Sequence, residues 1–290
     1  MGSPPDPVRL LVTGGSGYLG SELVAHAASR GDEVFATHRV TPPDPDLDAR
    51  WVCADLSDAG VVDRMVAALR PEVVVHTAYR ATGPRAHLDT VEAARNVARS
   101  TANSGAALVH ISSDVVFSGR ETEPLAENHP LDPVSGYGRL KAEAERAVLD
   151  THRGSAVVRT SVIYGGPDHR GPQERLVTAA LADPSVVSFH TDEVRCPVYV
   201  ADLARALLAV ADTGATGIWH VAGPRAVDRL GLARALARSL GGDPAVLRGG
   251  PSPEPPPGGP VRPRHLHLDS SRFVARFGPL LRDPDQALGG

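Results

Sequence analysis

The nine residues Val12-Thr13-Gly14-Gly15-Ser16-Gly17-Tyr18-Leu19-Gly20 constrain this chain more than any others. They follow an apolar, β-rich run from Val8 to Val12 and lead into Tyr18 to Arg30, where apolar positions recur at helical spacing. A glycine-rich turn between a strand and a helix is suited to receive a dinucleotide pyrophosphate. Gly15, Gly17 and Gly20 fit the G-x-G-x-x-G spacing, and Gly14, Gly17 and Gly20 fit G-x-x-G-x-x-G. The early glycines allow a tight turn and close backbone approach, and the last lets the helix pack on the strand. The helix start offers N–H groups and a positive dipole end to phosphates, which makes Gly14, Ser16, Gly17, Tyr18, Leu19 and Gly20 candidate cofactor contacts.

The second strand candidate, Glu33 to Arg39, ends in Thr37-His38-Arg39. An acid there would hold a free ribose 2′-hydroxyl, and an arginine would accept a 2′-phosphate. With no carboxylate at the tip, His38 and Arg39 favour NADP(H) over NAD(H), unless Arg39 is only a solvated loop charge. After a short strand at Trp51 to Cys53, Asp55 and Leu56 stand where a loop brackets an adenine ring; a helix cap at Ser57 or Asp58 fits the same stretch.

Further strand candidates at Val73–Thr77, Leu108–Ser112 and Val157–Thr160 alternate with amphipathic helices at Val61–Leu69, Val91–Ala102 and Ala142–Leu149. The pattern predicts an α/β fold with a Rossmann-type doubly wound parallel sheet and a smaller C-terminal α/β substrate lobe. The expected division is residues 1–165 and 166–290, with about 197–222 returning to the first domain. In the second half Glu174–Ala182, Asp202–Ala211 and Leu230–Leu240 read as helices, and Val186–Phe189 and Ile218–Val221 as strands. The proline- and glycine-rich stretch Gly249 to Pro263 reads as an extended or mobile connector, and Leu266 to Phe277 as a strand and short helix.

Composition narrows the partners. Thirty Lys and Arg against 34 Asp and Glu give a net charge of -4, with no basic excess for nucleic acid or an anionic membrane surface. Neither a secretion signal nor a membrane-spanning stretch is legible, and Cys53 and Cys196 form no C-x-x-C pair, so a cytoplasmic protein without structural metal is expected. His265 and His267 have no companions that would complete a metal site.

Tyr137 and Lys141 are four residues apart at the start of a strongly helix-forming run, so both project from one helix face. An ammonium beside a phenol favours the phenolate and makes the tyrosine a usable general acid for a carbonyl oxygen. The strand ending His110-Ile111-Ser112-Ser113-Asp114 brings two hydroxyls to the carboxyl edge of the sheet, where one can stabilise a developing alkoxide. Tyr164 could flank a sugar or base or pack in the core, and Arg195 could bind a phosphate or pair with Asp192 and Glu193.

Thr13 to Gly20, Val75 to Tyr79, Ile111 to Gly119, Tyr137-Gly138-Arg139-Leu140-Lys141, Val158 to Ser161 and Arg195 to Ala204 occur in the order and spacing of the extended short-chain dehydrogenases/reductases. The chain resembles the dTDP-4-dehydrorhamnose reductase branch over nearly its whole length. The resemblance implies Ser113 as the carbonyl-polarising hydroxyl, Tyr137 as proton donor, and Lys141 as the residue that tunes Tyr137 and holds the nicotinamide ribose. It implies that Thr77, Ala78, Tyr79 and Thr160 line the cofactor, and that Val115, Phe117 and Arg195 face the substrate. The chain departs from that pattern at Thr90, where relatives carry an asparagine, and in the loop Arg80 to Arg85. The implied activity is NADPH-dependent reduction of a keto group on a nucleotide-linked 4-keto-6-deoxysugar, with a homodimer as the expected assembly. The alternatives are reduction of another small carbonyl or imine, and a non-catalytic NADP-binding subunit of the kind found with methionine adenosyltransferase.

Overall fold

The computed structural model describes residues 7–166, 171–255 and 261–289. Runs such as Val73-Val74-Val75-His76 are buried at every position, which requires cover on both faces of the sheet they enter. Seven strands, β1 (Arg9–Thr13), β2 (Glu33–His38), β3 (Arg50–Cys53), β4 (Val73–His76), β5 (Ala107–Ser113), β6 (Ala156–Thr160) and β7 (Gly217–His220), form one sheet in the order β7-β6-β5-β4-β1-β2-β3. β1 pairs in parallel with both β2 and β4, β2 with β3, and β4 with β5. The order reverses between β1 and β4, the point at which open α/β sheets bind ligands beyond their strand ends.

The helices of more than ten residues among those described are α1 (Tyr18–Ser29), α2 (Ala59–Leu69), α3 (Ala93–Ser104), α4 (Gly136–Thr151), α5 (Pro172–Ala182), α6 (Val200–Asp212) and α7 (Arg229–Ser239); shorter ones follow at Ser271–Phe277 and Pro284–Ala287. Leu11, Val74, Leu108 and Val157 of the sheet form one core with Val62, Met65 and Val66 of α2, Val97 of α3 and Val148 of α4. Each such side chain contributes about 1.5–3 kcal/mol by leaving water. The helix expected from Val91 is entered through a π-helical turn, Leu88–Glu92, which holds Asp89 and Thr90 buried.

The chain divides into two compact units. The first comprises Met1–Ser112, Arg139–Val158 and Ala204–Trp219, and the second Ser113–Gly138, Arg159–Leu203 and His220–Gly290. Segment 113–138, placed in the first domain by the sequence pattern, thus groups with the second unit, and the unit boundary cuts α4 near its start. The second unit has its own core of Tyr164, Val177, Phe189, Leu230, Leu236 and Leu247, built on α5 and α7. The start of the expected connector is ordered, since Arg248–Gly250 pairs in parallel with Ser188–His190 and Ser252 is hydrogen-bonded through its amide and hydroxyl to Asp192. Its central Pro256 and Pro257 lie outside the described residues, as do Met1 to Asp6. No helix among the described residues is long and apolar enough to cross a membrane. Cys53 is exposed, Cys196 is buried, and both are free thiols.

Candidate active site

The glycine turn is built from backbone contacts that leave no room for side chains. Gly14 has φ 73°, its N–H donates to Thr37 Oγ1 at 2.9 Å, and the Gly15 N–H donates to the Thr37 carbonyl at 2.8 Å. A Cβ on Gly20 would stand 2.1 Å from the Gly14 oxygen, and one on Gly15 2.7 Å from Ala36 Cβ. Gly17 caps α1 without a side-chain bond, so the first N–H groups of the helix have no side-chain cap and can receive an anion. Ser16 and Tyr18 are partly exposed beside them, whereas the Leu19 side chain is buried in the core, leaving only its backbone to face a cofactor. Ala78 lies against Gly14, and Thr77 Oγ1 donates to the Thr13 carbonyl at 2.7 Å, so the segment leaving β4 is held beside the turn.

Arg39 is more than a solvated charge. Its Nη1 and Nη2 donate to the two oxygens of Asp89 at 2.8 and 2.6 Å, and Nη1 also reaches Asp55 at 3.2 Å. Arg80 Nε donates to Asp89 at 2.7 Å, and Arg85 Nη2 donates to Asp55 at 2.7 Å. Asp89 is held far below the usual carboxylate range, chiefly by its hydrogen bond to Arg39. Sequence spacing could not assemble this cluster, because Asp89 is 50 residues from Arg39. Asp55 also accepts from the Ser57 amide and hydroxyl, Leu56 is buried in the core, and Asp58 rather than Ser57 caps α2 by accepting from the Val61 amide. His38 packs edge-on against Trp51.

Lys141 is 3% exposed; its Nζ donates to the Ile111 carbonyl at 2.9 Å and lies 4.5 Å from the centre of the Tyr79 ring. Burial lowers its pKa to about 8, and Glu145 acts in the opposite direction. Tyr137, Lys141 and Glu145 occupy successive turns on one face of α4, and Ser112 Oγ donates to Glu145 at 2.5 Å. The two adjacent serines therefore diverge: Ser112 anchors the helix, and Ser113, partly exposed, donates to Asp114 at 3.1 Å. Asp114 is buried, accepts from Ser161 Oγ at 2.6 Å, and has its pKa raised by burial. Gly138, part of the motif around Tyr137, has a packing role that its place in the motif does not show. A Cβ there would stand 2.1 Å from the Val115 oxygen, so only glycine lets the start of α4 lie against the turn that follows Ser113.

Three of the candidate substrate residues are buried and engaged within the protein. Phe117 is fully buried between His129, His220 and Arg159, and Tyr164 is fully buried and packs edge-on to Tyr199. Arg195 is buried and donates to the carbonyls of Val194, Arg264 and Pro263 at 2.7, 3.0 and 2.6 Å, with Glu193 at 3.9 Å. It is a strut between short strands, and Asp192 pairs with Arg264 instead. Val115 remains partly exposed. Thr160 is buried, and its hydroxyl has no hydrogen-bond partner among the described residues. Thr90 Oγ1 accepts from the Arg80 amide and donates to the Arg80 carbonyl, so its hydroxyl is engaged in holding that loop. Asn96 donates to the Leu56 and Ser57 carbonyls, another bracing role.

The sheet order and the glycine turn at its switch point define a Rossmann-type α/β protein. The family model for the RmlD substrate binding domain matches residues 8–289. A dTDP-4-dehydrorhamnose reductase from Streptomyces griseus is 34% identical over 289 residues, covering 94% of this chain and 89% of that protein. A methionine adenosyltransferase 2 subunit beta from Xenopus tropicalis is 29% identical over 281 residues, covering 91% and 81%. The crystal structure of a dTDP-4-dehydrorhamnose reductase from Bacillus anthracis in complex with NADP has the same fold, with TM-score 0.82 at 22% identity over 97% of this chain and 96% of that one. The chain belongs to the RmlD substrate binding domain family.

Proposed function

We propose that this protein is an NADPH-dependent reductase of the keto group of a nucleotide-linked 4-keto-6-deoxysugar. The observation that carries the reading is Tyr137 one helical turn before a buried Lys141 on α4, in a chain 34% identical to a dTDP-4-dehydrorhamnose reductase. The glycine turn fits a dinucleotide, since it is a backbone cradle that any Cβ at Gly20 would fill. Bound NADPH would supply the hydride. Gly14 to Gly20 would hold its pyrophosphate, Arg39 its 2′-phosphate, and Thr77, Ala78 and Tyr79 would line it.

Tyr137 gives its phenolic proton to the substrate oxygen, and Ser113 donates a hydrogen bond to the same oxygen as charge develops there. The Lys141 ammonium stabilises the phenolate left on Tyr137. Val115, on the turn after Ser113, borders the substrate. A cytoplasmic location and a homodimer belong to the same reading; the two free cysteines suit a reducing compartment, and light scattering reads the subunit count.

The test is loss of NADPH absorbance on adding a dTDP-4-keto-6-deoxysugar, run beside NADH, with dTDP and UDP compared as stabilisers against heat. Turnover preferring NADPH, with protection by dTDP, is expected. Clear NADPH binding without turnover would favour the second reading, a non-catalytic NADP-binding subunit. That reading draws on the likeness to methionine adenosyltransferase 2 subunit beta.

A further inference from the structure

Arg39, Arg80 and Arg85 converge on Asp89 and Asp55, and three cations over two carboxylates leave one positive charge in excess on a chain whose net charge is -4. Asp89 is the hub: one oxygen takes Arg39 Nη1 and Arg85, the other takes Arg39 Nη2 and Arg80. The Asp89 side chain is 5% exposed, whereas those of Arg80 and Arg85 are each 44% exposed. A single carboxylate satisfies one guanidinium in bidentate fashion and leaves further arginines with donors to spare. Both terminal nitrogens of Arg80, and Nη1 of Arg85, have no protein acceptor among the described residues.

The cluster also has a defined place. Arg39 comes two residues after Thr37, whose carbonyl and hydroxyl bind the glycine turn, and Arg80 two residues after Ala78, which touches Gly14. The loop bearing Arg80 and Arg85 is itself fastened: Thr90 Oγ1 bridges the Arg80 amide and carbonyl, and the π-helical turn presents Asp89 inward. Asp55 and Asp89 offset two of these three like charges, and the one left over favours a further anion.

We infer that Arg80 and Arg85 are specificity-determining residues for a phosphomonoester on the adenosine ribose, with Asp89 as the internal anion that preassembles them beside Arg39. This rests on the dinucleotide reading above and goes beyond it: discrimination of the phosphorylated cofactor is shared between the end of β2 and the loop after β4. A dianionic phosphate satisfies the spare guanidinium donors that Asp89 and Asp55 leave open, while a ribose hydroxyl offers them no charge to neutralise.

The experiment is calorimetric titration of the full chain with 2′,5′-ADP and with 5′-AMP, on wild type, Arg80→Ala, Arg85→Ala and, for reference, Arg39→Ala. Wild type is expected to prefer 2′,5′-ADP. Each loop variant is expected to lose on the order of tenfold in affinity for 2′,5′-ADP and less than about twofold for 5′-AMP. A loop variant that binds 2′,5′-ADP as wild type does, or that loses both ligands alike, would overturn the assignment. Wild type without preference for the 2′-phosphate would instead overturn the NADPH reading itself, and is visible before any variant is made.

Discussion

Tyr137→Phe is expected to lower kcat for keto reduction by about 100- to 10,000-fold, the range for losing a positioned general acid, while NADPH binding persists. The phenyl ring keeps the shape of the side chain at the start of α4 and removes only the transferable proton. Lys141, one turn on, is buried, donates to the Ile111 carbonyl and stands over the Tyr79 ring. An ammonium beside a phenol favours the phenolate, and on the reading proposed above the two residues work as a pair. Because burial brings Lys141 down to about 8, it is charged below that pH and neutral above it. The wild-type rate should therefore hold below about pH 8 and fall as pH rises through it, as support for the phenolate is lost. Tyr137→Phe should show a small residual rate without that fall. A variant keeping more than about a tenth of the wild-type rate would mean the proton comes from another group.

Gly20→Ala is expected to weaken NADPH binding by about 100-fold, roughly 2.8 kcal/mol, and to destabilise the fold by about 1–3 kcal/mol. The added Cβ would meet the Gly14 oxygen at 2.1 Å, its carbonyl carbon at 2.8 Å and Gly15 Cα at 2.9 Å. All three are backbone atoms of the turn itself, so no side chain can swing aside and the cradle must open. Gly14 already adopts φ 73°, which leaves the turn little freedom to rearrange. Gly17→Ala makes a useful contrast, since its Cβ would meet only the Gly14 oxygen, at 3.1 Å. Fluorescence titration with NADPH and urea unfolding read the two effects. Gly20→Ala binding NADPH as tightly as wild type would show that the turn does not hold the pyrophosphate.

Much of the first unit was legible in the residues. Strand and helix limits at β1, β2, α1 and α2 agree with the apolar periodicities to within about two residues, because local propensity and burial there point the same way. The spacing of Tyr137 and Lys141 was legible for the same reason, as a helix turns four residues into one face. Contacts between distant segments were not. Phe117 and Tyr164 looked available to a substrate, and Arg195 looked like a phosphate ligand or an acid's partner. Nothing local tells an aromatic ring on a loop from one closed over by His129 and His220, or a free guanidinium from one tied to three carbonyls.

The sequence by itself determined the glycine turn, the α/β alternation and the helix that carries Tyr137 and Lys141, since each depends on residues within a few positions of one another. Only the tertiary structure decided that Asp89 gathers Arg39, Arg80 and Arg85, that Ser112 anchors Glu145 while Ser113 stays partly exposed, and that Gly138 must be glycine. These depend on which backbone and side-chain atoms meet across dozens of residues. Packing, burial and the low dielectric of the interior set those meetings, and periodicity along the chain carries no record of them.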